Sequence, residues 1–343
     1  MFDITQKTRE ITGLSLDSIP YGELLDAGEP VILKGVANSW PLVVAGQTSA
    51  KEAMRYMQGF DAGRELTMYM VPAEAKGRIF YNEELTGFNF QHAGATFDDF
   101  IEAVCSQLST PNPISHYVGS RDADIFFPGL RKENDLRLAH PMFEHGNLLA
   151  SVWMGSKTTV AAHYDMSNNM ACCMVGKRRF TLFPPAAVHG LYPGPLEPTP
   201  GGQAMTMVDF HDPDHDKYPN FKDALATAQV AELEPGDVLF FPALWWHHVE
   251  ALSDFNIMMN YWWNDAPTFL DNPNDTLLHG MLSLRDRPKH EKKAWQELFN
   301  YYVFGPSAIA AKHLPKAAQG ALGPMDDMKA RRLRAQLLQR LNC

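Results

Sequence analysis

The chain has 343 residues, 45% hydrophobic and 20% charged, which suits a large folded core and argues against extended disorder. A formal net charge of -10 disfavours a nucleic acid or an anionic membrane as partner, because both bind basic surfaces. The four cysteines (Cys105, Cys172, Cys173, Cys343) have no CxxC spacing, no apolar run reaches the length of a membrane span, and the first residues form no apolar leader. These features lead to a cytoplasmic expectation with no membrane partner.

The first segment, to residue 145, mixes elements. Pro30–Leu33 reads as a short strand, and TSAKEAMRYM as a helix with Thr48 or Ser49 as its N-cap. ELTMYMV is strand-like. TFDDFIEAVCSQL has the marks of a helix: Thr96 precedes it, acids fill its first turn, and Phe97, Phe100, Ile101 and Val104 share a face. ISHYVGS reads as a further strand. From residue 146 to 265 short apolar or alternating runs follow one another between Gly- and Pro-rich turns, the pattern of a sandwich or barrel. Cys172 and Cys173 adjoin in one of these runs and should face opposite sides. Residues 192–229 interrupt the strands with a stretch too rich in Pro, Gly and Asp for regular pairing, as functional lids often are. Residues 266–343 turn helical: Trp295, Leu298, Phe299 and Tyr302 recur at helical spacing up to Gly305-Pro306, and a last helix spans 325–341. The apolar stripes of these helices need cover, from the barrel or from a second subunit.

The chemistry centres on AAHYD. His163 and Asp165 stand at i and i+2 and share one strand face. With 13 His and 23 Asp, 13 × 23/343 gives about one such pair by chance, so context has to decide. The pair ends a strand, and a later run, EPGDVLFFPALWWHHV, again delivers histidine at the end of an apolar stretch. Two histidines and a carboxylate on separate strands make a facial triad that leaves positions open, the donor set of non-haem Fe(II). Strand parity allows His247 or His248, not both, to face inward. HDPDHD (His211–Asp216) is a second group of metal-ligand types, read as a solvated loop without a rigid scaffold.

NLLASVWMG, AAHYDMSNN, GKRRFTLFPP, LYPGP, VDFHDPDHDKYPNF, EPGDVLFFPALWWHHVEAL and NYWW together resemble the cupin-like, jumonji-type oxygenases (the cupin 8 group), in family order. The likeness is greatest to the asparaginyl hydroxylases among them. It implies a mainly β fold: a double-stranded β-helix (jelly roll, cupin/JmjC) with flanking helices and a C-terminal helical dimerisation region. It also implies Fe(II) as metal, 2-oxoglutarate as cosubstrate and a homodimer. The family pattern takes the histidine directly after Trp, hence His247, as third ligand beside His163 and Asp165. It implies Tyr117 as the tyrosine reaching the distal carboxylate of 2-oxoglutarate, Asn169 and Asn260 as pocket asparagines, and Trp262 as an aromatic at the substrate entrance. Three positions depart from it. Arg178 stands where the family has an anchoring lysine, Val160 replaces a threonine that Thr158 or Thr159 would have to stand in for, and Ala204-Met205 replaces a peptide-holding Arg-Gln pair.

The resulting expectation is a dioxygenase that hydroxylates a C–H bond, on a protein or peptide or else on a small molecule; N-demethylation uses the same chemistry. A cupin enzyme that does not use 2-oxoglutarate, told apart by the absence of succinate, and a non-catalytic dimeric binding module, told apart by weak Fe(II) binding, are the competing readings.

Overall fold

The computed structural model describes residues 4–138, 140–143 and 148–342. The boundary expected at 145/146, and Cys343, lie outside them. The chain divides into two compact units, Met1–Asp265 and Ala266–Cys343.

The first unit holds fourteen strands: β1 (Arg9–Ile11), β2 (Val31–Leu33), β3 (Leu66–Val71), β4 (Arg78–Ile79), β5 (Gln91–Ala95), β6 (Ser115–Asp122), β7 (Leu149–Gly155), β8 (Thr159–Tyr164), β9 (Asn168–Val175), β10 (Arg178–Phe183), β11 (Gln229–Leu233), β12 (Val238–Phe241), β13 (Trp246–Ala251) and β14 (Asn256–Trp263). They form a nine-stranded sheet in the order β1-β2-β12-β9-β14-β7-β6-β3-β5 and a five-stranded sheet in the order β11-β10-β13-β8-β4. This is the cupin jelly roll, with the pairing antiparallel except for β1–β2 and β4–β8. The N-terminal strands do more than pack on the barrel. Most of them extend the larger sheet on both sides, β2 beside β12 and β6 beside β7, while β4 joins the smaller sheet beside β8.

Alternation along β9 explains why the large sheet is so apolar. Cys172 joins the core beneath the helices, with Met54, Met57, Phe97 and Phe100, whereas Cys173 joins the barrel core with Phe180, Leu239 and Val249. Both thiols are buried, and burial pushes the Cys173 thiol up to about 12. The covering helices are locally encoded. Ser49 accepts from the Glu52 amide to start the helix Ala50–Gln58, and Thr96 and Asp99 form a capping box at the start of Phe97–Gln107. Phe97, Phe100 and Val104 each lie at most 1% exposed, and burial of such side chains stabilises by about 1.5–3 kcal/mol apiece. The preceding helix, Pro41–Thr48, carries no periodic pattern; it starts at a proline in the first turn and buries Leu42 and Val43.

Gly176 makes the β9–β10 turn at φ 74°. A Cβ there would stand 2.6 Å from the Phe255 carbonyl oxygen, so only glycine fits this crossing. The tight turn sets Arg178 at the head of β10.

The second unit contains the helices Pro273–Leu284, Lys289–Phe299, Ser307–Ala311 and Asp327–Leu341. The run through Trp295 continues as a π-helical turn, Asn300–Phe304, and stops at Gly305. Asp326 caps the last helix through the Lys329 amide. No described helix is long and apolar enough to cross a membrane.

Candidate metal centre

β8 and β13 pair with His163 opposite His247. Asp165 lies directly beyond the end of β8. One ligand atom from each of His163, Asp165 and His247 lies within 4.8 Å of the others. The two imidazoles stand 4.3 Å apart between ring centroids, and His247 Nε2 is 3.6 Å from Asp165 Oδ2. Each ring is aimed by the same local device. Nδ1 of His163 donates to the Ala161 carbonyl at 2.9 Å, and Nδ1 of His247 to the Trp245 carbonyl at 3.0 Å. A carbonyl only accepts, so Nδ1 carries the proton and Nε2 keeps its lone pair for a cation. A neutral imidazole is the form a metal needs. Burial, with His163 close by, lowers the His247 pKa to about 4.

The parity question has a structural answer. His247 faces the barrel cavity with Val249, and His248 faces the outer side of the sheet. A bulge in β8 sets Ala161 and Ala162 against His248, since His163 pairs with His247 and Val160 with Val249. The extra residue lets Val160 and His163 line the same cavity although three positions separate them.

Asp165 is fixed from behind. Its Oδ2 accepts from Trp262 Nε1 at 3.1 Å and from Asn169 Nδ2 at 3.4 Å. Asn169 Oδ1 accepts from Asn260 Nδ2 at 3.3 Å, and Asn260 Oδ1 from Trp153 Nε1 at 2.6 Å. Asn169, Asn260 and Trp262 thus meet as a relay behind the carboxylate. Trp153, which sequence reading overlooked, anchors its far end; its residue type carries no metal signature. Trp262→Phe removes one donor and keeps the ring. It should weaken metal binding by roughly 10–100-fold, as loss of an outer partner does, measured by metal titration of the purified protein.

These residues open on a cavity of about 530 Å³. Arg178 lies in its wall, 4% exposed, and its Nε has no hydrogen-bond partner. No carboxylate pairs with it among the described residues, and burial lowers its pKa. Tyr117 lines the same cavity; burial raises its pKa, so the phenol stays a neutral donor. Val160 and Thr158 both reach the cavity wall, so Thr158 offers a hydroxyl there. Met205 lines the cavity from residues 192–229, while Ala204 is buried. One side of the wall is aromatic. Phe88 and Phe90 stack at 5.1 Å and 3°, and Tyr69 stacks on Phe90 at 4.9 Å. The FNF spacing was the available signal for this wall, although residues 88–90 form only an isolated bridge, Phe88 to Tyr81, and no strand.

Two depressed histidines make the metal-free protein acid-sensitive. His247 falls to about 4 and His248, buried beside His211 and Arg78, to about 3. Both ionise near 6.5 when unfolded, so the unfolded chain binds more protons below that pH. Their stability contribution is intact above pH 6.5 and is lost as pH falls towards 4, by a few kcal/mol at about 1.4 kcal/mol per pKa unit. Denaturant midpoints of chelator-treated protein across pH 7.5–4.5 should fall accordingly.

Comparison with known proteins agrees with this architecture. The profile of the Cupin-like domain family matches residues 19–269. The chain is 26% identical over 265 residues to tRNA wybutosine-synthesizing protein 5 of Gallus gallus, covering 72% of this chain and 74% of that protein. It is 26% identical over 243 residues to lysine-specific demethylase 8 of Xenopus tropicalis, covering 69% of this chain and 48% of that protein. With lysine-specific demethylase JMJ31 of Arabidopsis thaliana it shares 31% over 128 residues, 36% of this chain and 22% of that protein. The matched stretch therefore spans less than half of either demethylase. With the family profile spanning most of its length over the two-sheet barrel, the chain belongs to the cupin-like, jumonji-type family.

Proposed function

We propose that this protein is an Fe(II)- and 2-oxoglutarate-dependent dioxygenase that hydroxylates a C–H bond on a protein or peptide side chain. The observation that carries the reading is Arg178. A buried guanidinium without a protein counter-ion, in the cavity that holds a His-Asp-His set, is a standing demand for an anion. A dicarboxylate with a metal-chelating keto acid at one end meets both needs. The donor set fits non-haem iron: His163, Asp165 and His247 would hold the ion, and Arg178 with Tyr117 would hold the far carboxylate. Iron bound there supplies the oxidation, with O₂ and 2-oxoglutarate yielding succinate, CO₂ and one oxygen atom inserted into the substrate C–H bond.

The chain's own residues supply placement. The two backbone carbonyls and the Trp262–Asn169 donors hold the ligands in one orientation, and Phe241, Met258 and Trp153 keep the cavity wall dry. No proton shuttle is needed. Beyond the metal end, the wall of Tyr69, Phe88, Phe90 and Met205 holds no permanent charge among the described residues. Together with the net charge of -10, this favours a neutral peptide side chain over a polyanion, although one relative is named for tRNA modification. A cytoplasmic location accords with the buried free thiols.

The second unit supports a homodimer. Its helices Pro273–Leu284, Lys289–Phe299 and Asp327–Leu341 bury no residue, while Leu282 is 81% and Phe304 76% exposed. Exposed apolar side chains of that kind mark an interaction surface, and a second copy supplies a like surface to cover them. Light scattering at micromolar concentration should give twice the chain mass.

The deciding experiment incubates the protein with Fe(II), 2-oxoglutarate and a peptide library in air. Succinate formation and a one-oxygen mass gain are expected; formaldehyde release would identify an N-methyl carbon as the target. Tight metal binding with no 2-oxoglutarate consumption would overturn the reading in favour of another cupin enzyme. Absence of metal binding would leave a binding module.

A further inference from the structure

The outer face of β13 repeats the pattern of its inner partner. His248 and Glu250 stand at i and i+2 and share that face. His248 is 3% exposed, and neither of its ring nitrogens has a hydrogen-bond partner. A neutral imidazole always offers one lone pair and one N–H, and buried groups of this kind are almost always satisfied. Phe210 stacks on the ring at 4.4 Å and 24°. The next residue, His211, turns its Nε2 to within 3.6 Å of Glu250 Oε1. Ligand atoms of His211, His248 and Glu250 all lie within 4.8 Å of one another.

We propose that these three residues form a second metal site, separate from the first and on the opposite side of the same strand. Two imidazoles and one carboxylate suit Zn(II) or a neighbouring late first-row ion, not Ca(II) or Mg(II), which take oxygen ligands. Bonds of about 2.0–2.2 Å place tetrahedral ligands roughly 3.3 Å apart. His211, whose side chain is 54% exposed, can close the remaining gap. Arg179 does not fill the site. Its Nη1 is 3.9 Å from Glu250 Oε2, while its Nη2 pairs with Glu232 at 2.8 Å. Lys34 in the same cavity is held by Asp237. The fourth position is left to water.

Such an ion would tie the 192–229 insertion to β13. The insertion carries Thr199, Gly201 and Met205 into the main cavity, and β13 carries His247. The second metal would therefore position the cavity rim and take no part in the reaction.

The test is Zn(II) stoichiometry after chelation and equilibrium dialysis, in wild type, His211→Ala, Glu250→Gln, His163→Ala and the His163→Ala/His211→Ala double variant. Wild type should hold two equivalents, His211→Ala and His163→Ala one each, Glu250→Gln one tightly, and the double variant none. Zinc added to His163→Ala should slow amide exchange across residues 209–216, and the double variant should lose that effect. Wild type holding one equivalent that His163→Ala abolishes overturns the proposal. Equal zinc content in His163→Ala and the double variant overturns it as well.

Discussion

Arg178→Met is expected to make the protein more stable and a worse enzyme at once. The wild-type guanidinium is buried with its Nε unsatisfied and no carboxylate partner among the described residues. Methionine fills similar space without a charge to desolvate, so the cosubstrate-free protein should gain about 1–2 kcal/mol. At roughly 2–4 °C per kcal/mol for domains of this order, the thermal midpoint should rise by a few degrees. The KM for 2-oxoglutarate should meanwhile rise by about 30–1000-fold, the cost of leaving one partner of a buried charge pair alone, ~2–4 kcal/mol. Thermal melts and succinate assays on one preparation test both. An unchanged KM would remove Arg178 from the cosubstrate site, whatever the melt shows.

His163→Ala and Asp165→Ala are expected to abolish succinate formation within detection and to weaken metal binding at the triad by more than the roughly 10–100-fold of an outer-partner change. The two should differ in stability. His163→Ala removes one of two close imidazoles, and its Nδ1 bond is to the backbone of its own strand. Asp165→Ala strands two donors, the half-buried Trp262 Nε1 and Nδ2 of the buried Asn169, at up to about 1–3 kcal/mol for each left unmet. Circular dichroism melts of the metal-free variants should therefore rank Asp165→Ala below His163→Ala. The reverse order would mean that the relay behind Asp165 contributes little to the apo fold.

What the sequence makes legible follows from the range of the forces involved. Short-range rules locate β7 to β10 and β12 to β14, because alternation and Gly/Pro turns act within a few residues, whereas β11, only five residues long directly after the irregular insertion, escapes them. The caps at Ser49, Thr96 and Asp326 are equally local. The helix Pro41–Thr48 escapes such reading because its residues, PLVVAGQT, are mostly apolar or small and lack a face. His163 and Asp165 declare themselves by i, i+2 spacing, but the inward histidine of the 247–248 pair does not, since parity needs a reference strand. The Trp153–Asn260 bond joins residues 107 positions apart, and no local pattern announces it. The HDPDHD segment reads as a loop, as it is; the scaffold that makes His211 interesting lies on β13, some forty residues later.

The turn Pro242–Trp245 between β12 and β13 carries a heavier constraint than its surface position suggests. Strand faces alternate with each residue, so shortening that turn by one would rotate every side chain of β13 through half a revolution. The imidazole facing the main cavity and its neighbour would trade places, and Glu250 would point into that cavity. Grafts or indels at this sheet-to-sheet crossing are therefore safe only in even steps, a counting rule written into the backbone.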